Sequence, residues 1–99
     1  MLLADWLDQH TSQAPTALRA RVTQYALQAG GSSLPEVLAN AGHTALSQVL
    51  SHSGDRTAAL DLLAADALIT LALLAQAESR PDRLEEFATL VLRDARTDS

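Results

Sequence analysis

Apolar residues recur at helical spacing along almost the whole of this 99-residue chain. Leu2, Leu3, Trp6 and Leu7 predict a short first helix over about residues 2–9. Pro15, tolerated in a first helical turn, opens a second segment. Leu18, Val22, Tyr25, Ala26 and Ala29 form its stripe, and Gly30-Gly31 ends it. Ser33-Leu34-Pro35-Glu36 has the spacing of a capping box, in which the Ser side chain caps an orphan amide while the Glu reaches back. A third helix therefore runs to about His52, with Gly42 as a weak point or break. Ser53-Gly54-Asp55 is the next turn, and Asp55 reads as the N-cap of a fourth helix, about residues 56–78. Arg80-Pro81-Asp82 restarts the chain into a fifth helix. There Leu84, Phe87, Ala88, Val91, Leu92 and Ala95 face inward, and residues 97–99 are a frayed tail.

The fourth helix departs from the usual one-sided pattern. Leu60, Leu63, Ala64, Ala67, Leu68, Leu71, Leu74 and Ala75 make one broad apolar face. Leu62, Ile69 and Leu73 make a second ridge within about 40° of one another on the helical wheel. A helix apolar nearly all round is buried nearly all round, and four neighbours in so short a chain leave one ridge over. The third helix points the same way. From Val37 to Gly54 there is no charged residue, and its outer positions are Asn40, His43, Thr44, Ser47 and Ser51. Neutral, small outer positions suit an interface better than a solvated face.

Composition sharpens the class. Ala and Leu contribute nineteen residues each, Lys is absent, and Trp6, Tyr25 and Phe87 are the only aromatics. The Ala and Leu content favours helix, and the scarcity of β-branched and aromatic residues disfavours sheet. The expectation is a single all-α domain over 1–99, a compact four- or five-helix bundle around the fourth helix. With no Cys, the chain has no disulfide scaffold, thiol nucleophile or cysteine-ligated metal. A net charge of −5 and an uncharged third helix argue against nucleic acid. Asp5 and Asp8 stand where a secretory signal carries positive charge, and Asp66 and Thr70 interrupt the most apolar run. A cytoplasmic protein without a membrane partner is expected.

Candidate chemistry is sparse. His10, His43 and His52 have no mate at metal-ligand spacing on one helix, so no metal and no cofactor is expected. Asp66, with Thr70 one turn on, is the carboxylate singled out by its apolar surroundings. It either pairs with an Arg (Arg19, Arg21, Arg83 and Arg93 being candidates), sits in water, or lines a pocket with Thr70 and His52.

Two short segments resemble known families. Gly30-Gly31-Ser32-Ser33-Leu34 resembles the Gly-Gly-x-Ser-Leu segment of acyl and peptidyl carrier domains. That resemblance implies phosphopantetheine on Ser33, although Pro35 and the long fourth helix depart from the carrier pattern. Residues 62–77 look like a helix of the trans-prenyl diphosphate synthases, but the Asp-rich magnesium motifs of that family do not occur here.

The sequence thus favours a non-enzymatic interaction or assembly module, acting as a homo-dimer or higher homo-oligomer or by packing a partner protein's helix. Leu62, Ile69, Leu73, His43, Leu46 and Leu50 are its expected interface. The alternative is a ligand-binding or enzymatic bundle with a pocket at Asp66, Thr70 and His52. A carrier-like domain stands third.

Overall fold

The computed structural model describes residues 3–51, 54 and 56–97, with side chains through residue 94. Five α-helices follow one another: α1 (Leu3–His10), α2 (Thr16–Gln28), α3 (Leu34–Ser51), α4 (Arg56–Ser79) and α5 (Leu84–Thr97). A 3₁₀ turn over Pro81–Arg83 leads into α5, and no strand occurs among the described residues. The protein is a small all-α bundle with a radius of gyration of 12.9 Å. Each end lies within a residue or two of the punctuation in the sequence. Leu2, His52, Asp55 and the last two tail positions fall outside the described residues.

Local chemistry accounts for the boundaries. The Thr11 hydroxyl donates to the Leu7 carbonyl at 2.6 Å, and His10 Nδ1 to that of Trp6 at 2.9 Å, which satisfies the end of α1. Pro15, with φ of −57°, precedes α2. At the start of α3 the capping box is divided between two serines. The Glu36 N–H reaches Ser33 Oγ at a long 3.4 Å, whereas the Glu36 carboxylate accepts from Ser32 Oγ at 2.9 Å.

α3 is continuous through Gly42, and it packs against α4 more extensively than any other pair of elements does. Small side chains make that approach possible. α3 buries Leu38, Ala41, Gly42 and Ala45, and α4 answers with Ala58, Ala64, Ala65, Leu68, Ala72 and Ala75. A Cβ added to Gly42 would lie 2.8 Å from Ile69 Cγ1, so only glycine allows this spacing. Trp6 and Leu7 of α1, with Val22 and Ala26 of α2, close the core from the other side.

The close pairing settles which way α4 faces. The inward arc centres on Leu68, so of the broad face expected from the sequence Ala64, Leu68, Leu71 and Ala75 are buried, and its edge is rotated outward. Leu63 and Leu74, expected inside, are 56% and 41% exposed, while Ala58, Ala65 and Ala72, not counted in that face, are buried. A helix neighbour only a glycine deep fills most of the contact with methyl groups and admits Leu68 beside Gly42. Leu92, also expected inside, is exposed on α5, whose packed side consists of Leu84, Phe87, Ala88 and Val91.

Candidate functional site

The outer face of α4 collects the chemistry that the sequence singles out. At about 100° per residue, Leu62, Leu63, Leu73 and Leu74 share one side of the helix with Ala59 and Ala77. Asp66 and Thr70 lie in the middle of that side, one turn apart, and both are exposed. The connection between α1 and α2 borders Asp66 and Thr70, leaving an open hollow of about 490 Å³ that also takes in Ala67 and Leu71. Asp66 therefore stands in water and is not the buried, Arg-paired carboxylate among the sequence readings. His52 lies outside the described residues.

The expected interface residues divide between two places. Leu62 is 52% exposed on the outer face, with Leu73 half-buried beside it. His43, Leu46 and Ile69 converge instead on a hollow of about 70 Å³ where α3, α4 and α5 meet, next to Val91 and Asp94. Ile69 is thus covered within the chain, by Gly42 and by α5, and the second ridge does not stand free along its whole length. Leu50 is exposed near the end of α3. The hollow at His43 is several times smaller than a metabolite site.

One cluster escapes a reading of the sequence. Asp61 is 3% exposed, and its Oδ1 accepts from the Tyr25 hydroxyl at 2.9 Å and meets Arg21 Nη1 at 3.4 Å. Arg21 and Tyr25 are four apart on α2 and so share a face, which is the one signal that the sequence holds. The group is a tether between α2 and α4. Burial and the neighbouring Asp61 carboxylate push the Tyr25 hydroxyl above its ordinary pKa of 10.0, so it stays protonated near neutrality. Buried and committed to Tyr25 and Arg21 through Oδ1, Asp61 serves the fold.

Other candidates serve the fold. His10 stacks on Trp6 with ring centroids 4.0 Å apart, and its Nε2 lies 3.6 Å from the Glu78 carboxylate, which ties α1 to the end of α4. Ser33 caps α3, and a Cβ on Gly31 would stand 2.9 Å from Val37 Cγ2, so Gly31 lets the connection fold against the first turn of α3. A hollow of about 290 Å³ between Trp6 and this connection is lined mainly by apolar groups and serine hydroxyls. Among the described residues, no three His, Asp or Glu side chains gather to hold a metal ion. α4 is long and apolar enough to cross a membrane by length and composition, with a mean hydropathy of 2.0 over its most apolar window. Its inner side is committed to α3 and the core. No protein-family model, no curated protein and no solved structure matches this chain.

Proposed function

We propose that this chain is a helical association module that works by pairing the outer face of α4 with a second copy of itself. The observation that carries the reading is the outer face of α4, where Leu62, Leu63 and Leu74 are 52%, 56% and 41% exposed. Fully burying a leucine is worth about 1.5–3 kcal/mol, so six half-exposed leucines across a two-copy contact hold several kcal/mol in reserve. That is comparable to the lower part of the range of about 4–15 kcal/mol that association costs, and it supports a contact of moderate strength.

A lipid occupant fits less well. Asp66 and Thr70 sit at mid-helix, where hydrocarbon makes a carboxylate costly and a protein partner can hydrogen-bond it.

Sedimentation velocity of two variants tests the reading. Leu63→Glu places a charge on the outer face of α4, and Leu27→Glu places one on the exposed side of α2. The reading expects a dimer from wild type and Leu27→Glu, and a folded monomer from Leu63→Glu. A Leu63→Glu chain that sediments with the wild-type mass removes α4 as the interface.

A further inference from the structure

The exposed face of α4 is arranged as a palindrome about Leu68. From Ala59 to Ala77 its outward residues fall into pairs equally spaced on either side of that position: Ala59 with Ala77, Leu62 with Leu74, Leu63 with Leu73, and Asp66 with Thr70; Arg56, exposed in the first turn, lies beyond the set. Two helices that cross antiparallel on a two-fold axis bring each residue opposite the one whose number makes a constant sum with its own. Here a single constant, set by Leu68 at the axis, matches alanine to alanine, leucine to leucine and a hydrogen-bond acceptor to a donor. A parallel pairing would instead set Asp66 against Asp66 of the other copy, with like charges facing at mid-helix.

We infer that two copies of the chain pair antiparallel through α4 on a two-fold axis passing over Leu68. This rests on the proposed association and specifies its geometry. In that arrangement the Thr70 hydroxyl of each copy donates to the Asp66 carboxylate of the other, forming two equivalent hydrogen bonds. The four leucines of each copy flank that polar centre on both sides. The polar centre fixes register, because sliding by one turn sets each Asp66 against Leu74 in one direction and against the other copy's Asp66 in the other. Asp66 and Thr70, which break the apolar run in sequence, thereby become its alignment marks. Isologous two-fold contact is also the commonest closed arrangement for identical chains.

Disulfide trapping tests the geometry, and the absence of native cysteine leaves only the introduced thiols to react. Ala59 and Ala77 are separated by eighteen residues, about 27 Å along the helix at 1.5 Å per residue. A disulfide needs Cα atoms within about 7 Å. Ala59→Cys and Ala77→Cys chains are prepared separately, one carrying a mass tag, then mixed and oxidised, with helicity checked by circular dichroism. The expected product is the mixed disulfide between the two different chains, and neither variant alone should cross-link. A second pair, Asp66→Cys with Thr70→Cys, should likewise favour the mixed product. Disulfides of Ala59→Cys with itself overturn the antiparallel geometry while keeping α4 as the contact. A dimer by mass that yields no cross-link at either pair overturns the geometry and moves the interface elsewhere. A chain that stays monomeric, or that co-sediments with phosphatidylcholine vesicles instead of dimerising, overturns both this geometry and the association on which it rests.

Discussion

Gly42 and Ile69 meet so closely that a Cβ added to the glycine would lie 2.8 Å from Cγ1 of the isoleucine. The contact sets the distance between α3 and α4, and with it the choice of which α4 residues go inside. Ordinarily Gly→Ala inside a helix gains about 1 kcal/mol from propensity. Here overpacking costs about 1–3 kcal/mol, so Gly42→Ala is expected to destabilise by ~1 kcal/mol net in urea denaturation. Adding Ile69→Ala should recover part of that loss, a non-additivity read from a double-mutant cycle. A more stable Gly42→Ala chain would show that α3 and α4 are not in such close contact.

Asp61 and Asp66 lie five residues apart on α4 and are expected to respond in opposite ways. Asp61→Ala removes the acceptor for Tyr25 and the counter-charge for Arg21, whose side chain keeps some water contact. The expected loss is about 2–3 kcal/mol of unfolding free energy. Asp66 is exposed, so Asp66→Ala should leave the fold within about 0.5 kcal/mol of wild type and act on association instead. Equal losses from both substitutions would place the polar tether wrongly.

Much of the architecture is legible in the sequence because it is written as punctuation. Pro15, the Gly30-Gly31 pair, Ser33, Gly54 and Pro81 each mark an end by restricting or freeing the backbone locally, and every helix end from the start of α2 to the start of α5 falls near one of them. The facing of α4 is legible only in part: Ala64, Leu68, Leu71 and Ala75 are inside as their spacing predicts, and Leu63 and Leu74 are not. Both sides of that helix are apolar, and the arbiter is the run of Ala41, Gly42 and Ala45 on another helix. The same holds for its two aspartates. Asp66 interrupts the more apolar surroundings along the chain, whereas Asp61 is the buried one because Arg21 and Tyr25 wait for it on α2. Composition alone cannot locate a partner supplied by tertiary packing.

Tyr25 gives the tether a pH signature. Its pKa is raised in the folded chain by burial first and by Asp61 second. A raised acid stabilises the fold fully below the unfolded value near 10.0, and that contribution is lost as pH rises through the folded value. Melting temperature should therefore fall more steeply between pH 10.0 and the raised folded value for wild type than for Tyr25→Phe. Because Tyr25 is the sole tyrosine, tyrosinate absorbance reports it alone, and its midpoint should lie above 10.0 in the folded protein. An unshifted midpoint would contradict the hydrogen bond to Asp61.

The central claim is that the leucines left outside by the close α3–α4 pairing are covered by a second copy of the chain. Sedimentation equilibrium of the wild-type protein across a concentration series, from about 1 µM to about 100 µM, addresses it most directly. The account predicts a weight-average mass that climbs from 10.5 kDa toward twice that value and stops there, as a closed two-fold contact requires. A mass that stays at 10.5 kDa at the highest concentration would contradict it.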